Sequence, residues 1–262
     1  MNETILDKKK KRLFLVLCGI FMTNALLAEM IGTKIFSAEA TIGMEPAHLN
    51  VLGFMMDFNL TAGVIIWPIV FVTTDLINEY YGKPGVKRIS FLTAALIAYS
   101  FIVIYLTIEL PPAQWWLDAH ANDPSGNRFN IDYAYGKIFG QGLRIILGSL
   151  TAFLLGQLVD VFVFQKLRLV TGSKYLWLRA TGSTLVSQFV DSFVVLFIAF
   201  SGVFTGKQII AIGITNYLYK FSVAILLTPL IYLGHVLIDR YLGKENAEAM
   251  TREAMQDSKG FF

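Results

Sequence analysis

The segment LTAGVIIWPIVFVTTDLINEYYG, residues 60–82, decides the fold class, because an apolar run long enough to enter a membrane ends in acidic residues. Asp75 and Glu79 lie one helical turn apart, and Asn78 falls on nearly the same face. An ionised side chain inside a bilayer is costly, so intramembrane acids are usually functional. The purpose of these acids depends on how the whole chain is arranged.

The composition is that of an integral membrane protein. Of the 262 residues, 55% are hydrophobic and only 16% are charged, whereas soluble domains contain about a quarter charged residues. Six apolar blocks are long enough to cross a membrane as helices, and none alternates as barrel strands do. The predicted fold is an all-α bundle of six transmembrane helices in a single domain, 1–262, with spans at about 13–36, 59–79, 89–110, 142–164, 183–204 and 209–238 (Pro229 being a candidate kink).

Lys and Arg alternate between the loops and indicate the orientation. They cluster before the first span, between the second and third, between the fourth and fifth, and after the sixth. The positive-inside rule then places both termini in the cytoplasm. A long first apolar block, interrupted by polar side chains, favours an uncleaved helix over a secretory signal. The charged tail, 244–262, is expected to be a partly helical cytoplasmic segment that frays.

Motifs for nucleotide or metal chemistry are missing from the sequence. It has no phosphate-binding loop and no Ser/His/Asp signature. The three histidines lack ligand spacing, and the single cysteine, Cys18, cannot form an internal disulfide. We therefore expect no cofactor, no metal, no nucleic-acid partner and no enzymatic activity.

Two neighbouring spans each contain the pattern Q-x-x-D, which is the most informative feature of the sequence. Residues three apart share one helix face, and the span directions place all the aspartates in the cytoplasmic half of the membrane. We predict one polar cavity, although the same groups could simply hydrogen-bond neighbouring helices. The candidate substrate-binding residues are Asp75, Asn78, Gln157, Asp160, Gln188 and Asp191.

Small residues accompany the first of these patterns. Gly148, Ala152 and Gly156 precede Asp160 at intervals of four. Small residues so spaced let helices approach closely. We therefore expect the fourth span to pack tightly against a neighbour along this stripe.

The outer half of the membrane contains a second set of charges. Glu29 in the first span and Lys220 in the sixth lie roughly 10 Å and roughly 16 Å from the outer ends of their spans. Because their depths are similar and their signs opposite, we predict an ion pair or gate. Arg144 either joins it or extends to the interface. Glu79, by contrast, is expected to reach cytoplasmic water and pair with a basic residue of the next loop.

Three segments resemble the signature blocks of a known family. They are VTTDLINEYYGKPGVKR at 72–88, RIILGSLTAFLLGQLVDVFVF at 144–164 and RATGSTLVSQFVDSFVVLFIAF at 179–200. Together they are similar to the VUT family, the bacterial queuosine precursor transporters, over roughly 13–240. The resemblance implies a multi-pass transporter of the bacterial cytoplasmic (inner) membrane, monomeric or homodimeric, that imports 7-cyano-7-deazaguanine or 7-aminomethyl-7-deazaguanine.

The candidate residues suit such a small-molecule ligand. A carboxylate can accept the ring N–H and the adjacent amino group of a guanine-like base as a donor pair. Glutamines both donate and accept, which suits the other edges. Trp67, Phe71 or Phe189 could stack on the base. Transport by alternating access around a site within the membrane would follow, and the driving force is left open.

Two other functions remain open. The first is the substrate-binding subunit of an ATP-driven vitamin transporter, because such subunits also have six spans and the pair Ala28-x-x-x-Gly32 could dock a partner helix. The second is an intramembrane aspartyl protease with Asp160 and Asp191 as its catalytic dyad, although the G-x-G-D context usual for that class is missing.

Overall fold

The chain is almost entirely helical, in a computed structural model that describes residues 4–172 and 175–257. In chain order the helices are α1 (Ile5–Ile31), α2 (Ala38–Thr41), a 3-10 turn (Ala62–Ile65), α3 (Trp67–Ile108), α4 (Gln114–Ala119), α5 (Ile131–Phe139), α6 (Leu143–Thr171), α7 (Leu176–Phe200), α8 (Gly206–Leu226), α9 (Thr228–Leu242) and α10 (Lys244–Asp257). The predicted all-α class is confirmed.

Helix α3 is a hairpin that folds back on itself at Gly82. The hydroxyl groups of Thr74 and Ser90 both donate to Gln157 Oε1, each at 3.4 Å, although sixteen residues of straight helix would separate them by about 24 Å. Gly82 has φ 63° and ψ −169°, a combination that side chains beyond glycine rarely tolerate. The hairpin therefore has a first limb (67–81) and a second limb (83–108).

Five helical stretches in the described part of the chain are long and apolar enough to cross a membrane: Ile5–Ile31, Trp67–Ile108, Ile131–Thr171, Leu176–Phe200 and Gly206–Leu226. Because α3 contributes two antiparallel limbs, six crossings can be formed from these five stretches. The count of six and the cytoplasmic placement of both termini stay predictions.

The block expected as one span at 209–238 consists of two helices. Helix α8 ends at Leu226 and α9 begins at Thr228, with Pro229 in its first turn. Proline suits a helix start because the first-turn N–H groups have no partner within the helix. The break between α8 and α9 therefore lies next to Pro229, which the sequence predicted as a kink site.

The loop between α1 and α3 contains two small antiparallel sheets, which pair β1 (Ile35–Ser37) with β4 (Asn59–Thr61) and β2 (Leu49–Val51) with β3 (Phe54–Met56). The buried carboxylate of Glu39 holds this loop together, accepting from Phe58 N at 2.7 Å and Ser37 Oγ at 3.1 Å. The Phe58 hydrogen bond is the main reason why the pKa of Glu39 is lowered. This stabilisation is present above the ordinary pKa of the carboxyl group and is lost as the pH falls through its lowered value.

The C-terminal tail packs onto the bundle instead of fraying, which corrects the expectation for 244–257. Ala247, Met250 and Ala254 are buried, because their spacing places them on one face of α10. Ala247 and Met250 belong to an apolar core shared with α1, α3, α6 and α9, and Lys10 of α1 forms an ion pair with Glu253 at 3.3 Å. Residues 258–262 of the predicted tail lie outside the described part.

Candidate functional site

Helices α6 and α7 form the most extensive helix pair in the protein, and the glycine stripe explains their closeness. A Cβ atom added at Gly148 would lie 3.1 Å from the backbone oxygen of Val195, and one added at Gly156 would lie 3.6 Å from Asp191 Cβ. Side chains larger than alanine at these positions would extend into α7, and at Gly148 even a Cβ atom is tight. The predicted close approach along this stripe is therefore confirmed, and it brings the two Q-x-x-D patterns face to face.

A narrow central cavity lies between α6, α7, α8 and the first limb of α3. Counted as the space open to the centres of water-sized molecules, its volume is about 30 Å³, and about 10–15 Å³ of such space is enough to hold one water molecule. The cavity therefore has room for a small number of water molecules. All four Q-x-x-D residues line the cavity, and its full lining is Trp67, Phe71, Thr74, Phe153, Gly156, Gln157, Asp160, Thr184, Ser187, Gln188, Asp191 and Lys220.

The polar groups of the cavity are only partly satisfied. Asp160 accepts a hydrogen bond from Ser187 Oγ at 3.2 Å through Oδ1, but its Oδ2 has no hydrogen-bond partner. Gln188 Oε1 is likewise buried without a donor. By contrast, Gln157 Oε1 accepts from both limbs of α3. A buried acceptor without a donor is costly, so the cavity offers at least two acceptors to a ligand.

Asp75 and Asn78 lie beside the cavity and do not line it. Both are fully buried. Asn78 Oδ1 accepts from Gln165 Nε2 at 2.7 Å, whereas its Nδ2 has no partner. Asp75 Oδ1 also lacks a partner, and its charged neighbours are Asp160 and Glu79. Four of the six candidate residues therefore share the cavity surface, and these two lie behind it.

Aromatic rings form one wall of the cavity. Trp67 and Phe71 both line it, with ring centroids 5.8 Å apart and an interplanar angle of 17°. The third candidate, Phe189, is half-exposed and packs against Phe193 and Tyr217. Two of the three proposed stacking residues are therefore placed where a base could reach them.

The predicted pair between Glu29 and Lys220 is wrong. Lys220 Nζ instead lies 2.5 Å from Asp191 Oδ2, while Glu29 Oε1 accepts from Ser149 Oγ at 2.6 Å. Arg144 is exposed and donates to the backbone oxygen of Ser201, so it joins neither acid. Glu29 and Lys220 were expected to pair because their depths in the membrane are similar. The Lys220 side chain instead faces α7, where it meets Asp191.

The Asp191–Lys220 pair gives a direct prediction. Because removing one partner leaves an unpaired charge in the cavity wall, Asp191→Asn and Lys220→Met should each lower the unfolding free energy more than the double variant does. A double-mutant cycle on unfolding in bicelles measures this coupling. As a control, Glu29→Gln and Lys220→Met should be additive. Additivity in the Asp191–Lys220 cycle would contradict the pairing.

The sequence did not predict a buried cluster of charged side chains around Glu79. Glu79 was expected in cytoplasmic water but is only 4% exposed, and its Oε1 lies 2.8 Å from Arg179 Nη2 and 3.5 Å from Arg168 Nη2. Arg168 also donates to the backbone oxygen of Glu79 at 3.1 Å and to that of Thr251 on α10 at 2.6 Å. Arg179 begins the third signature block, which was the one signal that it belonged to the bundle.

Comparisons with known proteins agree with the geometry. The family profile described as "Putative vitamin uptake transporter" matches residues 61–234. A protein of Bacillus subtilis (strain 168) named "Probable queuosine precursor transporter" is 32% identical over 195 residues, 73% of this chain and 80% of the relative. The "Queuosine precursor transporter" of Escherichia coli (strain K12) is 27% identical over 201 residues, 75% of this chain and 82% of the relative. No solved structure matches at a comparable level.

The matched region contains every residue of the central cavity. Together with the apolar helices, the transporter relatives place the chain in the bacterial inner membrane as a multi-pass protein. The profile covers more than half of the 262 residues, and the chain therefore belongs to this family of uptake transporters, the VUT family that its three sequence blocks resemble.

Proposed function

We propose that this protein imports 7-deazaguanine precursors of queuosine, in the cyano or aminomethyl form, and that the central cavity is their binding site. The names of the curated relatives support this substrate class. The proposal also depends on the chemistry of the cavity itself, which has to recognise a flat, polar, bicyclic base.

The observation that carries the proposal is the pair of unpartnered acceptors, Asp160 Oδ2 and Gln188 Oε1. The guanine-type edge of a 7-deazaguanine presents a ring N–H and an amino group side by side, and both are donors. A carboxylate that accepts from such an edge forms short, charge-assisted hydrogen bonds. A ligand with these donors satisfies groups that the protein leaves unsatisfied, whereas a ligand without them leaves the acceptors unpaired and binds poorly.

The aromatic wall complements this edge recognition. Trp67 and Phe71 present nearly parallel rings to the cavity, and stacking on a nucleobase contributes about 1–3 kcal/mol per base in other proteins. Binding between the aromatic wall and the polar faces of α6 and α7 would fix both the plane and the in-plane orientation of the base.

The small volume of the cavity supports transport by alternating access. Because it has room for only a small number of water molecules, we infer that loading of a base requires α3, α6, α7 and α8 to separate on one side of the membrane and that release requires separation on the other. The Asp191–Lys220 pair bridges α7 and α8 on the cavity wall. We assign this pair to the contacts that must rearrange when the site opens.

The dyad predicted for the aspartyl protease alternative, Asp160 with Asp191, does not fit this cavity. Asp191 is paired with Lys220, and Asp160 binds Ser187. A catalytic dyad needs two facing carboxyl groups that share a proton. The other alternative, the binding subunit of an ATP-driven transporter, predicts that the chain alone does not transport.

Uptake by cells that contain this chain alone tests the proposal. In a host that lacks both its own precursor transporter and ATP-driven vitamin modules, we expect labelled 7-cyano-7-deazaguanine to enter only when the chain is expressed. Unlabelled 7-deazaguanines should compete, and adenine, which presents a different edge, should not. Binding without uptake would favour the subunit alternative, and the absence of both would overturn the proposed function.

A further inference from the structure

We propose that Asp75 and Asp160 form a buried carboxyl pair that holds one proton, which resides on Asp75 when substrate occupies the cavity. Asp75 is then a proton-binding and positioning residue behind the site, not a substrate ligand. The statement about substrate rests on the proposed function. The statement that the pair holds one proton rests on the positions of the two carboxyl groups.

The first observation is how the acids around the cavity are neutralised. Glu79 has two arginines, and Asp191 has Lys220. In the described part of the chain, no cation lies within ion-pair distance of Asp75 or Asp160. An isolated carboxylate away from water is strongly disfavoured, and such groups usually take up a proton instead.

The second observation is that Asp75 lies outside the cavity that a ligand would occupy. It is 2% exposed, and its Oδ1 has no partner. Asp160 and Gln188 also have unpartnered acceptors, but these residues line the cavity, where substrate can supply donors. Asp75 does not line it. A proton on its own carboxyl group therefore removes the charge and turns one of its oxygens from an acceptor into a donor.

The two carboxyl groups are neighbours, because hydrogen bonds from Thr74 to Gln157 and from Gln165 to Asn78 hold the first limb of α3 against α6 on either side of them. Like charges so placed cannot both ionise at moderate cost, and such a pair shares a proton. Substrate N–H groups need an ionised Asp160 as acceptor. Substrate binding therefore keeps the shared proton on Asp75, and a neutral Asp75 is what allows Asp160 to bear the charge.

Other titratable groups around Asp75 have partners of their own. Tyr80, on the same limb, donates to Asp239 at 2.9 Å and lies 2.8 Å from His235 Nδ1. These two α9 residues are partly exposed, and their side chains lie 3.2 Å apart. An effect of pH on Asp75 has to be distinguished from effects on the other charged groups of the bundle. By element, these are Glu79 on α3, Arg168 on α6, Arg179 and Asp191 on α7, Lys220 on α8, His235 and Asp239 on α9, Lys10 on α1 and Glu253 on α10.

Infrared difference spectroscopy on the purified full-length protein at neutral pH tests the proton directly. A protonated carboxyl group has a C=O stretch above the amide I band that shifts in D2O. Without substrate, the wild type should show this band, and the Asp75→Asn/Asp160→Asn double variant should lose it. Glu29 and the other acids contribute equally to both spectra. This comparison needs no substrate, so it distinguishes failure of the proton site from failure of the proposed function.

With 7-cyano-7-deazaguanine bound, the band should persist in the wild type and be absent from Asp75→Asn. Since asparagine stays neutral at all pH values, the affinity of Asp75→Asn should hold at alkaline pH, where that of the wild type falls by about tenfold or more. His235→Gln should keep the wild-type profile. If the wild type shows no more of this band than the double variant does, or if substrate-bound Asp75→Asn retains the full wild-type band, the proposal is overturned.

Discussion

Replacing Asp160 with asparagine should reduce the initial rate of precursor uptake by about a hundredfold, while the amount of protein in the membrane stays near that of the wild type. The carboxylate is expected to accept two donors from the base. An amide retains one acceptor oxygen and directs an NH2 group at the donors of the ligand, so that a favourable contact becomes a repulsive one. Losing recognition of a donor pair by a buried polar site typically costs several orders of magnitude in selectivity.

A matched control separates this effect from a general loss of charge. Asp118→Asn makes the same chemical change on exposed helix α4, where the side chain accepts from Gln114 at 2.9 Å, and it should leave uptake unchanged. Initial rates of labelled substrate uptake, normalised to the purified amount of each variant, give the comparison. If Asp160→Asn transports at the wild-type rate, Asp160 only bonds to α7, and the cavity is not the substrate site.

The second large effect is expected on stability. Glu79→Gln removes the one acid that the buried guanidinium groups of Arg168 and Arg179 share. Both guanidinium groups would lose this carboxylate while they remain away from water, and breaking a buried ion pair in this way costs about 3–5 kcal/mol. We expect the unfolding free energy in bicelles to fall by this amount, with little folded protein recovered.

Two further variants test the cause of that loss. Glu45→Gln changes an exposed acid of the α1–α3 loop and should have no measurable effect. Adding Arg179→Met to Glu79→Gln removes one of the two buried cations that have lost the Glu79 carboxylate, and it should restore part of the stability. If Glu79→Gln unfolds like the wild type, the cluster is not a source of stability.

The polar wall of the cavity was predictable because its residues repeat. Gln157 and Asp160 lie on one face of their helix, and the glycine stripe on that face sets the partner. Helix periodicity and side-chain volume are local properties, so the sequence is enough to place Asp160 opposite the matching face of α7.

The ion pairs were not predictable because they depend on how helices are rotated and ordered around the bundle. Hydropathy gives the depth of Glu29 and Lys220, but not that Lys220 faces α7. In the same way, Glu79 has nearer basic residues along the chain than Arg168 and Arg179. The hairpin at Gly82 turns its limb so that Glu79 points inward, and tertiary packing then decides its partners.

The contact between Arg168 and the backbone of Thr251 has a consequence for how the protein is made. The ribosome synthesises α10 after the apolar helices α1 to α9, because translation proceeds from the N-terminus. Until α10 docks, the guanidinium group of Arg168 lacks one of its hydrogen-bond acceptors, the backbone oxygen of Thr251. Docking of α10 therefore follows synthesis of the apolar helices, and a nascent chain that stops at Leu242 leaves this buried arginine incompletely bonded.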